Sequence, residues 1–227
     1  MKIDLILNVS LPSVALHSDP DRALTLMKEN HVRSLPVIAQ DRYEGMVSDE
    51  RILEHLKGKG GKSRPDSLAS LIDRGSVHLT LDAHVGEAIR MFSETSHDVL
   101  PVLGSNQALV GCVLEKELMD FAGELLSVYE KGSTLEVRFN GHDFSLTEVV
   151  RLIEENQARI MSLNSLPGAP GADRHHIEIK VNVLDGSRVR AALSRAGYSV
   201  RLLGEEEDLE DRDFRDRIEE LMKFIEP

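Results

Sequence analysis

Apolar residues recur along this chain in two alternating periods. In "DPDRALTLMKENH" (Asp19–His31), Ala23, Leu24 and Met27 fall on one helical face, and in "VGEAIRMFSETS" (Val85–Ser96) Ala88, Ile89 and Phe92 do the same. Each of these stretches leads into a short apolar run rich in β-branched residues, "SLPVIA" at Ser34–Ala39 and "VLPVLG" at Val99–Gly104, which reads as a strand. Turn residues follow, in "QDR" and "GSNQ", and then second strands at "EGMV" and "VGCVL" that pair back as hairpins. Each hairpin runs into a further helix, "DERILEHL" or "EKELMDFAGELL". With the lead-ins "SVAL" and "VHLT", the pattern predicts one unit of extended segment, helix, strand, strand and helix, written twice.

Aligning Pro36 with Pro101 brings the two copies into register. Ala23 then meets Ala88, Met27 meets Phe92 and "LPV" meets "LPV"; after one inserted residue in the turn, Gly45 meets Gly111 and Val47 meets Val113. A small sheet of this kind has one apolar face that needs covering, and the second copy is expected to cover the first. The prolines are expected at a strand's first residue or on a sheet edge, where a missing N–H is tolerated.

Beyond Gly132 the order changes. "STLEVRFNG" alternates as a strand, and "SLTEVVRLIEENQ" is a helix with Ser145 as N-cap and Glu148 completing a capping box. "ARIMSLNSL" and "HHIEIKVNV" are strands, "GSRVRAALSRAG" is a helix closed by Gly197, and "YSVRLL" is the last strand. The order βαββαβ predicts a ferredoxin-like sandwich with two helices on one face of a sheet. The overall class is therefore α+β. In the final stretch, Leu209, Phe214, Ile218, Leu221, Met222 and Ile225 form an apolar stripe on a charged helix that must dock, on its own domain or on a second copy.

The duplicated order "Ala…Leu-Pro-Val…turn…Gly-hydrophobic-hydrophobic…helix" resembles the cystathionine β-synthase (CBS) domain, and the tandem resembles a Bateman module. The second half resembles the ACT domain. Together with the length, this arrangement resembles the acetoin-utilisation B-type regulatory proteins. The expected division is a first CBS repeat over 1–57, a basic Gly-rich connector over 58–70, a second CBS repeat over 71–128, an ACT-like domain over 132–204 and an acidic amphipathic helix over 205–227.

The resemblance implies clefts between the repeats that hold an adenosine-containing ligand, with AMP, ATP and S-adenosylmethionine as the candidates and no required cofactor. The family motif "Gly-x-x-Thr/Ser-x-x-Asp" uses its hydroxyl at a helix start, where unpaired N–H groups favour a phosphate, and its carboxylate on the ribose. Repeat one reads "GMVSDER", which keeps Ser48 but places Arg51 at the Asp position; a guanidinium accepts no hydrogen bond and suits a phosphate instead. Repeat two reads "GCVLEKE", where Leu114 loses the hydroxyl and Glu117 keeps a carboxylate. Ser13 and His78 hold the lead-in positions that line the cleft in the family. In the ACT-like half, "GHDFSL" offers Gly141 and Asp143 as the effector loop, with Phe144 and Ser145 where the family has Pro-Gly.

Composition narrows the remaining choices. A net charge of −12 and 4% aromatic residues without Trp argue against nucleic acid, which is held by Lys, Arg and stacked rings. From Gly204 onward eleven acids face four bases, the signature of a solvated helix face. The single Cys112 excludes an internal disulfide and suits a reducing compartment, and with neither a signal peptide nor a membrane span evident the expected location is cytoplasmic. "GKS" at Gly61–Ser63 lacks the Gly five positions earlier that a phosphate loop needs. Adjacent strand residues point to opposite faces, so His175 and His176 are not expected to share a metal. No nucleophile elbow, zinc-protease motif or Cys pair occurs. The expectation is a non-catalytic, homodimeric ligand sensor that relays its state to an unknown partner protein. The alternative is a degenerate scaffold that binds a partner without a metabolite.

Overall fold

The computed structural model describes residues 1–58, 67–75, 77–140, 144–166 and 174–204, and the chain divides into two compact units, 1–122 and 123–227. The expected loop residues Gly141 and Asp143 and the expected helix over 205–227 lie outside the described residues.

In the first unit the duplicated pattern forms duplicated structure. The first copy comprises β1 (Val14–Ala15), α1 (Pro20–Glu29), β2 (Ser34–Ala39), β3 (Arg42–Ser48) and α2 (Asp49–Gly58). The second comprises β4 (Leu79–Thr80), α3 (Val85–Glu94), β5 (Val99–Leu103), β6 (Leu109–Leu114) and α4 (Glu115–Leu125). Each sheet has three strands, ordered β1-β2-β3 and β4-β5-β6, with a parallel first pair and an antiparallel second. Asp19 caps α1 through its side chain and Pro20 opens the helix, so the start seen in the sequence has a physical basis.

The two prolines depart from expectation, because each lies inside the middle strand of its sheet. They are tolerated because β1 pairs only Val37 and Ile38, and β4 only Val102 and Leu103. The parallel partner thus begins one residue after Pro36 or Pro101, which leaves a local edge at the ring.

The copies are joined by exchanged arms. The segment Ile3–Asn8 lies against the second copy, where the Ile3 N–H donates to Ala83 O and Asn8 and Cys112 exchange both backbone hydrogen bonds at 2.8 Å. Its counterpart, Leu68–Asp73, lies against the first copy: the Leu68 N–H donates to Ser18 O, and Met46 and Asp73 exchange bonds at 3.0 and 2.7 Å. Ile3 and Ile6 therefore complete the core of the second copy, while Leu68, Leu71 and Ile72 complete that of the first. At about 1.5–3 kcal/mol per buried large side chain, an arm with two such residues contributes roughly 3–6 kcal/mol. The stretch expected to be a connector thus becomes core at Leu68.

The glycines shared by the repeats follow from the same exchange. A Cβ on Gly45 (φ +149°) would sit 2.3 Å from Asp73 O, and one on Gly111 would sit 2.8 Å from Asn8 O. Neither arm could pair so closely beside a side chain.

The second unit has the order β7 (Ser133–Asn140), α5 (Leu146–Glu155), β8 (Ile160–Leu166), β9 (Arg174–Val181), α6 (Ser187–Arg195) and β10 (Ser199–Leu203). Its antiparallel sheet runs β10-β7-β9-β8, the ferredoxin-like arrangement. Val149 and Ile153 of α5 and Val189 and Leu193 of α6 pack on Leu135, Val137, Ile177 and Ile179 of the sheet. Ser145 Oγ accepts the Glu148 N–H, as expected of an N-cap. The reciprocal half of the capping box is relayed: the Tyr198 hydroxyl donates to Glu148 at 2.8 Å and accepts the Ser145 N–H. Lys180 Nζ donates to Ser127 O and Ser162 Oγ to Leu126 O, which fastens the chain entering this unit to its sheet.

Candidate functional site

The seam between the repeats is built from residues that occupy matching positions. Arg33 precedes β2 as Asp98 precedes β5, and their carbonyls accept the first helical N–H of the opposite-running elements in the same way: Asp49 N–H to Arg33 O at 2.9 Å and Glu115 N–H to Asp98 O at 3.0 Å. The side chains break this symmetry. Asp98 Oδ2 accepts the Arg33 backbone N–H at 2.7 Å, and its Oδ1 accepts the Ser34 hydroxyl at 2.6 Å. Ser34 is 1% exposed, so the second repeat supplies the acceptor for a buried hydroxyl of the first.

Beside this staple lies a cavity of about 470 Å³, lined by Arg33, Ser34, Ser48, Asp49, Glu50, Leu53, Glu54, Lys57 and, from the second repeat, Ser96. Its size lies within the range of small-molecule sites. Of the sequence candidates among the described residues, only Ser48 lines it. Ser48 ends β3 half-buried and accepts the Arg51 N–H at 3.3 Å, so it caps α2. Asp49 Oδ1 accepts the Glu50 N–H at 2.6 Å. The N–H groups of Asp49, Glu50 and Arg51, which a helix start leaves open for an anion, are all engaged by protein acceptors. Arg51 points from the exposed side of α2 and is not among the cavity residues.

Glu117 lies apart from that cavity, on α4. Its Oε1 accepts the Asn8 amide at 2.6 Å, while Asn8 Oδ1 turns the following chain by accepting the N–H groups of Ser10 and Leu11. Glu117 Oε2 is buried and has no hydrogen-bond partner among the described residues. Cys112 lies close by; burial first and the Glu117 charge second push its thiol up to about 12, so it is neutral and inert in the folded chain. Ser13 stands half-buried just ahead of β1, and His78 stands exposed just ahead of β4. The five candidates are therefore not gathered into one site.

Sequence reasoning missed Asp98, Ser34 and Asn8. The signal for Asp98 was the alignment itself, which sets an acid opposite Arg33 at the one position where the repeats differ in charge just before the shared Leu-Pro-Val.

Among the described residues no group of three or more His, Cys, Asp or Glu is arranged to hold a metal ion, and no helix is long and apolar enough to cross a membrane.

Two three-stranded sheets joined by exchanged arms, with a cavity lined by the first copy and by Ser96 of the second, define a paired module of one repeated domain. The chain carries two CBS domains in tandem: residues 4–58 and 68–124 both match the CBS domain model. It is similar to inosine-5'-monophosphate dehydrogenase of Thermoplasma acidophilum, at 26% identity over 149 residues that cover 59% of this chain and 29% of that enzyme. The chain therefore spans less than a third of that relative. Among solved structures it is similar to a protein named for acetoin utilization (AcuB) from Vibrio cholerae, at 17% identity and a TM-score of 0.50, covering 57% of this chain and 95% of the other. It is also similar to CBSX2 crystallised in complex with AMP, at 23% identity and a TM-score of 0.47, covering 57% of this chain and 98% of the other.

Proposed function

We propose that the tandem CBS pair is a non-catalytic sensor that binds an adenosine-containing ligand at the seam and relays its occupancy to a partner protein. The observation that carries this reading is the cavity of about 470 Å³ in the first repeat, closed on one side by Ser96 of the second. A ligand seated there touches Ser96 of one repeat and Ser34 and Ser48 of the other, so its binding energy bears on how the repeats are held and favours the arrangement that keeps those contacts. CBSX2 holds AMP in its crystal structure. Glu117 offers a second position, where its buried Oε2 awaits a donor such as a ribose hydroxyl.

The test is a thermal-shift series with AMP, ATP and S-adenosylmethionine at millimolar concentration, on the wild type, Ser48→Ala and Glu117→Ala. A rise in melting temperature that one of the two variants reduces supports the reading and locates the ligand. No rise with any of the three sinks it.

A second reading, a scaffold that binds protein and no metabolite, is favoured by the engaged N–H groups of α2 and by the bond that ties Glu117 to Asn8. A partner captured by the full chain with an affinity indifferent to nucleotide supports that alternative.

The ferredoxin-like unit is read as an ACT domain on its strand order. A homodimer is read from Leu53 on α2 and Met119 on α4, which are 42% and 65% exposed at matching positions of the two repeats. Sedimentation equilibrium of Leu53→Glu and Met119→Glu variants checks it. A role in acetoin or related carbon metabolism, and a cytoplasmic location, belong to the same reading.

A further inference from the structure

The sheet of the second unit has a covered face and an open one, and we infer that the chain's own acidic end, residues 205–227, docks on the open face. Both helices pack on one side, against Leu135, Val137, Ile177, Ile179 and Leu202. Side chains alternate along a strand, so the residues between these point to the other side. The strand register sets them in rows. Arg201, Glu136, Glu178 and Asn164 lie side by side across the four strands, and Leu203, Thr134, Lys180 and Ser162 form the next row. A hydrogen bond from Arg138 first, and after it the charges of Arg138, His176 and Arg201, hold the Glu136 carboxyl below its usual range although burial acts the other way. These groups therefore share the open face.

One end of this face is apolar. Ser162 Oγ donates to Leu126 O at 3.0 Å and Lys180 Nζ donates to Ser127 O, so the chain entering the unit crosses the sheet at the row that Leu203 begins. There Leu126, Val128 and Tyr129 are 44, 58 and 66% exposed, and Leu203 is 39% exposed. Four large apolar side chains at one end of one face mark an interaction site.

Three observations name the occupant. The first is the tether: β10 is an edge strand that ends at Leu203, so the segment beyond Gly204 is bonded to the chain beside the apolar end. The second is reach. The apolar period of Asp208–Glu226 predicts a helix of about 28 Å, and four strands span about 15 Å. The third is chemistry. The stripe from Leu209 to Ile225 suits the exposed apolar end, and eleven acids against four bases meet a face on which Arg138, Lys180 and Arg201 outnumber Glu136 and Glu178. A second copy brings the same segment only at the bulk protein concentration, whereas the tether holds it at an effective concentration on the order of millimolar. Docked there, the segment gives the sheet its missing outer layer.

The experiment is paramagnetic broadening of amide resonances in the full chain. Cys112 is buried and its thiol is pushed up to about 12, so a nitroxide on an Asp216→Cys variant labels the acidic end alone. The amides of Glu136, Glu178 and Arg201 should broaden strongly and those of Arg151 on α5 and Ala191 on α6 weakly, with the same pattern after dilution by unlabelled protein. A second measurement uses Val128→Glu/Leu203→Glu, two exposed positions whose change leaves the core intact. Trypsin should cut after Arg215 about tenfold faster in that variant than in wild type, since cleavage follows the population of the released segment.

Stronger broadening on α5 and α6, or broadening confined to no face, overturns the docking. Broadening that arises only between a labelled copy and an isotope-labelled one assigns the segment to a second molecule and overturns it as well. Equal cleavage rates in wild type and the double variant do the same.

Discussion

Replacing Asp98 by alanine removes two hydrogen bonds at once and tests whether the seam is held where the geometry says. The carboxylate accepts the Arg33 backbone N–H at 2.7 Å and the Ser34 hydroxyl at 2.6 Å. Ser34 is almost fully buried, so its hydroxyl loses its partner without gaining water. A bond to a charged acceptor contributes about 1.5–3 kcal/mol, and an abandoned buried donor costs about 1–3 kcal/mol. Because Asp98 is itself half-exposed, part of the charged contribution is lost to solvent, and the expected destabilisation is about 3 kcal/mol. For a unit of this size that corresponds to a fall of roughly 10 °C in melting temperature. Urea unfolding followed by circular dichroism on Asp98→Ala, Ser34→Ala and the double variant measures it. The Asp98–Ser34 coupling should exceed about 1 kcal/mol, and Ser34→Ala alone should cost less than Asp98→Ala, since it leaves no buried donor stranded. If the single losses simply add, or if Asp98→Ala lies within about 0.5 kcal/mol of wild type, the staple does not hold the repeats.

Two further outcomes follow from the exchanged arms and the buried thiol. Gly45→Ala should destabilise more than Gly111→Ala, since its Cβ would meet a carbonyl at 2.3 rather than 2.8 Å and its φ is positive; equal midpoints in urea refute the reasoning. Cys112 should resist iodoacetamide at pH 8 in native buffer and react only as the chain unfolds, whereas rapid full labelling of the native protein refutes its burial. The folded thiol titrates near 12 against 9.0 for a free one, so its contribution is intact below pH 9 and is lost as pH rises from there toward 12; an unfolding free energy in Cys112→Ala that tracks wild type across that range counts against the shift.

The repeated elements were legible because each copy writes its period, its turn and its Leu-Pro-Val in the same order, and those signals are local. The βαββαβ order of the second unit was legible for the same reason, down to Ser145 at the head of α5. The exchange of arms was not, since a strand pairing between Asn8 and Cys112 leaves no mark on the residues between them. It was written only as glycine at positions 45 and 111, which sequence reading took for the opening of a binding motif. The capping box was half right: Glu148 was identified, but Tyr198, some fifty residues on, stands between it and Ser145. The binding candidates scattered for a related reason. A family motif gives positions along a helix, whereas the cavity is set by which faces of α2 and of the pre-β5 turn meet. Ser48 lies where both criteria agree.

Because residues 3–8 finish the second sheet and residues 68–73 finish the first, neither repeat is an autonomous building block. A ribosome that has made only the first fifty-eight residues has made a half whose closing piece is still unwritten, and an opening piece with nowhere yet to dock. The pair should therefore appear in one cooperative step, and a chain severed at the junction should recover only when both fragments are mixed. The same reciprocity gives two copies of the protein a ready route to trade arms at high concentration.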